Sequence, residues 1–372
     1  MKKLAIALLV ALLLPLVACA DNLISVSDLR AQVEASGGRW TQTYKTNDGE
    51  TITVDVPVEI PEVDVFPILK ASWMARMPEQ ISTDYDPVGD KKDDRWLACS
   101  DRYGLLAVNH DWDFAIGPNE STKGLKWVAE DLMHDGSDWN QAYAYNNDLR
   151  VGEAFEFIKQ AVKEVYARYD MPYDDPFLNH ITLDNILRGD TPLREKGSYT
   201  FSFYESLRGI PVLASEGKGC NKLNPYMELS VISVDSYKML CQLYRETELL
   251  AEDVPLLPFD SIKPVFEDLI NKGKLKNVFF VRLGYIALYE TGKIDDEVYR
   301  LIPCWVLTGE YYESKKEAEA WKELSKEADE QGVLLLGRGS TQKIIVNAQT
   351  GKIIPQDASN KENQKQFNVK KW

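Results

Sequence analysis

IIVNAQTGKII, residues 344–354, is an apolar run, a polar turn and a second apolar run. Gly351 supplies the positive φ that a tight hairpin with a bulge needs, and the Asn347 side chain is suited to capping the turn. The segment reads as a closing hairpin, so the chain ends on sheet. Working outward, LIPCWVL (301–307) and NVFFVRLGYIALYE (277–290) are the strands it would join. Between 308 and 343, Ser314 followed three residues later by Glu317 forms a capping box. The helix it opens carries only Ala318, Trp321, Leu324 and Ala328 as apolar residues, so it reads as a solvated insertion, 314–331, inside a hairpin.

Further upstream, FDSIKPVFEDLINKG (259–273) is a helix with Asp260 or Ser261 as N-cap and Gly273 beyond its end. MELSVISVDSYKMLCQLY (227–244) is strand material, and YTFSFYESLRGIPVL (199–213) is two strands around a turn at Arg208-Gly209. GEAFEFIKQAVKEVYARYD (152–170) spaces Phe155, Ile158, Val162, Val165 and Tyr166 as one helix face. In ITVDVPVEIP (52–61), Ile52, Val54, Val56, Val58 and Ile60 alternate with polar residues or proline, which predicts a half-buried strand. Pro57 and Pro61 push it toward a sheet edge. Residues 78–150 are the least regular part, with one short helix expected over Gly124–Met133.

The N-terminus, MKKLAIALLVALLLPLVAC, has two lysines, an apolar run from Leu4 to Val17 and a small-residue zone. That is an export signal. The run is too short for a span of about 20 residues. LVAC (16–19) resembles the lipobox of bacterial lipoproteins, which implies that Cys19 is acylated and becomes the first mature residue. Two or more acyl chains give stable attachment. The expected location is the extracytoplasmic face of the cell membrane. Residues 1–18 are then signal peptide and 19–39 a tether with a short helix over Ser27–Ala35.

The 372-residue chain carries a net charge of −15, and losing Lys2 and Lys3 takes the mature protein to −17. Such an acid excess argues against nucleic acid, which needs clustered Lys and Arg. Cys99, Cys220, Cys241 and Cys304 remain outside the cytoplasm, where disulfides are permitted. Cys220 with Cys241 is one reading, and four buried thiols the other.

The order of elements in the second half is similar to YycI-type regulators and PepSY-like modules. The residues carrying that likeness are Tyr285 and Tyr289, Pro303 and Trp305, and Asn347, Ala348 and Gly351. The resemblance implies an α+β fold of mixed or antiparallel sheets, with helices packed on one face of cystatin-like units. ITVDVPVEIP, GIPV (209–212) and LIPCW together look like an uncharacterised lipoprotein family of gut Clostridia and relatives, over roughly residues 50–355. The expected domains are 40–195, with an aromatic-rich irregular section, and 196–372.

No P-loop, G-x-S-x-G or H-E-x-x-H occurs, and no cofactor is implied. NHDWD (109–113) and MHDGSD (133–138) bring His110, Asp111, Asp113 and His134 into one section as candidate metal ligands, without the i, i+4 spacing of a helical zinc site. Trp96, Trp112, Trp127 and Trp139 are candidates for stacking on a glycan or clasping a peptide. The expected function is non-enzymatic: a tethered binding or regulatory module acting on an envelope protein or kinase. The alternatives are substrate capture on the tryptophans and a metal-dependent hydrolase built on His110 and His134.

Overall fold

The computed structural model describes residues 23–73, 95–100, 105–110, 125–131, 139–144, 146–168, 173–188, 191–192, 196–215, 226–234, 236–242, 244–290, 298–312, 316–320 and 341–354, with isolated positions 314, 323 and 326. The chain divides into two compact units, one taking residues 1–70, 247–321 and 338–372, the other 71–246 and 322–337. This division replaces the expected boundary at 195/196. The chain leaves the first unit and returns to it, so neighbours in space are not neighbours in sequence.

The first unit opens with helix α1 (Val26–Ala35), strands β1 (Arg39–Lys45) and β2 (Thr51–Glu59), and β3 (Ile68–Trp73). The second carries β4 (Arg95–Ser100), β5 (Leu105–His110), β6 (Leu125–Asp131), a 3-10 turn at Trp139–Gln141, helix α2 (Val151–Arg168), β7 (Phe177–Arg188), β8 (Thr191–Pro192), β9 (Ser198–Tyr204), β10 (Ser206–Leu207), β11 (Ile210–Ser215), β12 (Tyr226–Ser233) and β13 (Ser236–Gln242). The chain then runs through β14 (Tyr244–Ala251), α3 (Phe259–Asn271), β15 (Leu275–Tyr289), β16 (Val298–Tyr311) and β17 (Thr341–Asn347). The protein is thus α+β and dominated by strands.

Helix α1 begins where Ser25 Oγ accepts the Asp28 N–H at 3.1 Å. It buries Val26, Leu29 and Val33, and Ile24 and Leu256 exchange backbone hydrogen bonds at 2.8 Å. From Ile24 onward the chain is therefore part of the fold, and the expected tether at 19–39 is too long. The alternation in β2 is realised, with Ile52, Val54, Val56 and Val58 buried. β1 covers its flank, however, so β1 rather than β2 is the edge.

The sheet of the first unit runs β1-β2-β15-β16-β3-β14, with β17 on β16. All these pairings for which a register is known are antiparallel except β2 with β15, recorded at Val58–Val281 and Glu59–Arg282. Pro57 has no N–H and faces away from β1 at its pairing with Arg39, which explains why that parallel ladder starts only at Val58. Period two puts Leu283, Tyr285 and Tyr289 on one face with Pro303, Trp305 and Val346. Helix α3 packs there: Phe259 lies 5.2 Å from Trp305 and 5.9 Å from Trp40, ring centre to ring centre. The opposite face, with Ile286, Leu288, Ile302, Cys304 and Val306, is buried too. Both faces of these central strands are therefore covered. Their nearly unbroken apolar runs are what a strand buried on both sides requires.

Two other local expectations change. Helix α3 is preceded by Pro258 with no side-chain cap, so neither Asp260 nor Ser261 caps it; Gly273 ends it with φ +68° as expected. The segment 125–131 is strand rather than helix, because it pairs antiparallel with β7 from Leu125 opposite Arg188 to Asp131 opposite Thr182.

The closing hairpin has the expected chemistry. Gly351 has φ +68°, and Asn347 Oδ1 accepts the N–H groups of Gln349 and Thr350 at 2.9 and 3.1 Å. The turn is locked to the sheet by Ala348 N–H on Pro303 O and Leu257 N–H on Ala348 O. Asn347→Ala leaves two N–H groups of a buried turn without their acceptor. We expect a loss of about 2 kcal/mol in the unfolding free energy by urea titration; a change below about 0.5 kcal/mol would show that the cap is dispensable.

In the second unit the sheet order is β4-β5-β13-β12-β9-β7-β6, with β8 on β7. Its core joins Val151, Ala154, Ile158 and Val162 of α2 to Ile181, Tyr199, Phe201, Phe203, Leu229 and Val231. Phe155 stacks on Phe203 at 5.9 Å from the flank of that helix face. Arg208 and Gly209, with φ of +54° and +73°, make the two-residue turn joining β10 to β11.

Candidate functional site

Two of the four candidate tryptophans lie on strands far apart in the sheet of the second unit. Trp96 lies on β4 and Trp127 on β6, the two ends of an open strand order. Six inter-strand steps of about 4.8 Å separate them by about 29 Å along the sheet. Trp139 opens the 3-10 turn, and Trp112 lies outside the described residues. β5 and β6 follow each other in sequence, while β13, β12, β9 and β7 insert between them in space.

His110 ends β5, in register with Arg95 of β4 and Tyr237 of β13. Asp111, Asp113 and His134 lie outside the described residues, as do Cys19 and Cys220. Among the described residues no three His, Cys, Asp or Glu side chains are grouped to hold a metal. Cys99 and Cys241 both pair with Leu106, one from each side of β5. Two strand spacings put their Cα atoms about 9.6 Å apart, beyond the reach of a disulfide. Cys304 is a buried thiol whose ionisation burial strongly opposes.

One buried acid emerges only in three dimensions. Glu205, between β9 and β10, is almost wholly buried, and both carboxylate oxygens accept the Tyr244 N–H, at 2.8 and 2.7 Å. Burial pushes its pKa well above the usual carboxylate range, and the Asp174 charge adds to this, while the Tyr244 hydrogen bond opposes it. A folded-state pKa above the unfolded value gives stability that is complete below about pH 4.5 and lost as pH rises through the folded pKa. The expected slope in that window is at most about −1.4 kcal/mol per pH unit. Glu205→Gln keeps an acceptor and has no proton to lose, so urea midpoints measured from acid to neutral pH should flatten. An unchanged slope would place the linkage elsewhere.

Among the described residues β1 is the outermost strand of the first unit's sheet, and its edge is the best-defined place for a partner. The Thr46 N–H donates to Glu50 O and the Val58 N–H to Gly38 O, which sets the phase of the β1–β2 ladder. Even-numbered residues of β1 therefore bond to β2, and Arg39, Thr41, Thr43 and Lys45 turn their N–H and C=O groups outward. All four side chains are exposed. Helix α3 runs beside this strand: Tyr44 OH donates to Glu267 at 2.7 Å, Trp40 Nε1 donates to Tyr44 OH at 2.9 Å, and Lys263 Nζ donates to Gln42 Oε1 at 2.7 Å. Burial, with the Glu267 bond adding to it, keeps the Tyr44 phenol protonated. Arg39 is held by Asp55 of β2 at 2.9 Å; that ion pair, with the Thr41 hydroxyl, holds the Asp55 carboxyl below the usual range. The sequence signal was present in RWTQTYK, where only Trp40 and Tyr44 are buried, but nothing in it says that no further strand follows.

The chain matches no family model and no curated protein. It is similar to an uncharacterized protein of Eubacterium rectale ATCC 33656 known from its crystal structure. That likeness has 13% identity and a TM-score of 0.46, over 90% of this chain and 99% of the other.

Proposed function

We propose that this protein is a membrane-tethered, extracytoplasmic binding or regulatory module, non-enzymatic, which engages an envelope protein through the β1 edge. The reading takes the lipobox ending at Cys19 as the anchor and the terminal strands as a cystatin-like unit of the YycI or PepSY kind. The single observation that carries it is the exposed row of backbone groups on β1, flanked by α3. An open edge is a ready template for another strand. Capture on the tryptophan section has no comparable support, since Trp96 and Trp127 sit at opposite ends of their sheet. Among the described residues no helix is long and apolar enough to cross a membrane.

The test is crosslinking and pull-down from intact cells, with the native chain, Cys19→Ser and Thr43→Pro as baits. Thr43→Pro removes one outward N–H while sparing the β1–β2 ladder. A membrane protein captured by the native chain and lost with Thr43→Pro supports the reading. Capture indifferent to both variants overturns it.

A further inference from the structure

We infer that the occupant of the β1 edge is an extended segment of a partner protein bearing acidic residues, and not a second copy of this chain. The inference rests on the functional reading above and names the partner's chemistry. In a chain with 58 acidic and 43 basic residues, β1 carries two cations, Arg39 and Lys45, and no acid. They stand six residues apart on one face, with Thr41 and Thr43 between them. A two-fold pairing of β1 with itself, Thr41 opposite Thr43, sets Arg39 against Lys45 of the second copy at both ends. Like charges directly opposite are destabilising in a sheet. The same cations attract carboxylates, although Asp55 already occupies part of the Arg39 guanidinium. Lys45, exposed at the turn end, is the stronger determinant. Charged residues on an edge discourage self-association; here they also select the partner by charge. On the other face of β1, Gln42 and Lys263 offer polar contacts to the added strand beside the buried Trp40 and Tyr44.

The experiment uses the full chain and two labelled, capped heptapeptides read by fluorescence anisotropy. Both have threonine at positions three and five, valine at two and six and serine at four; one has glutamate at both ends, the other lysine. The glutamate peptide should bind saturably and about tenfold more tightly, because at each end it makes an attractive cross-strand pair where the lysine peptide makes a repulsive one. Lys45→Glu, a change at an exposed position, should abolish the glutamate preference, and Thr43→Pro should remove both affinities. About 0.5 M salt should narrow the difference. Equal affinities, or no saturation at about 1 mM peptide, overturn the inference. So does a dimer in sedimentation velocity that Thr43→Pro dissociates. Acid-selective peptide binding with no cellular partner would sink the functional reading and leave the edge chemistry standing. A cellular partner lost with Thr43→Pro but no acid preference would do the reverse.

Discussion

Gly309→Ala is expected to destabilise the first unit by about 3 kcal/mol, at the upper end of what overpacking costs, because the obstacle is backbone. A Cβ at this position would stand 2.3 Å from the Asn277 carbonyl oxygen and 3.0 Å from Leu275 Cδ1. Gly309 pairs with Val278 of β15, beside an irregularity that shifts the register between Val278 and Phe280. The two strands come close at this point, and only a residue without a side chain fits. The clash cannot be relieved by a rotamer change, so β15 and β16 would have to part locally. Equilibrium urea unfolding of the variant measures this. A loss below about 1 kcal/mol would mean that the strands separate at little cost, and the close approach would not matter for stability.

Trp305→Ala should cost about 4 kcal/mol. The side chain is fully buried and packs against Phe259 of α3, and Leu283 and Val346 flank it on the neighbouring strands. Truncation removes a large ring that joins sheet to helix and leaves a cavity that rigid strands on both sides cannot fill. Trp305→Phe keeps a ring against Phe259 and should cost less than half as much. Its cost is reduced further because the buried Trp305 Nε1–H has no hydrogen-bond partner among the described residues. Unfolding free energies for the two variants settle the point: similar losses would show that ring packing is not what holds α3 to the sheet. Gly309 and Trp305 are four residues apart on one strand, about 13 Å, so their effects should add.

Much of the fold was legible because local chemistry and tertiary position agree. In β2 the period-two pattern matches the buried set from Ile52 to Val58. In α2 the helical stripe was read correctly around Ile158 and Val162, but Val151 and Ala154 reach the core while Phe155 sits at its margin. The difference arises because the stripe points at β9 and β12, which the sequence does not locate. At the hairpin, Asn347 and Gly351 act within four residues of each other, so their roles could be read directly. By contrast 125–131, with Trp127, Val128 and Ala129 in succession, has no clean period, and its pairing with β7 decides its form.

The candidate sites divide along the same line. The tryptophans between 96 and 139 are close in sequence and were expected to be close in space. The strand order separates two of them by the width of a sheet. Glu205 carries no motif, and its carboxylate accepts the N–H of Tyr244, 39 residues away. What the sequence by itself determined were the strands, helices and turns whose signals lie within one or two turns of chain: the alternation of β2, the stop at Gly273, the Arg208-Gly209 turn and the closing hairpin. Which strand ends up at an edge, which acid loses its water and which aromatics meet were decided only by tertiary structure. Those properties depend on contacts between residues tens to hundreds of positions apart, and no local periodicity encodes them.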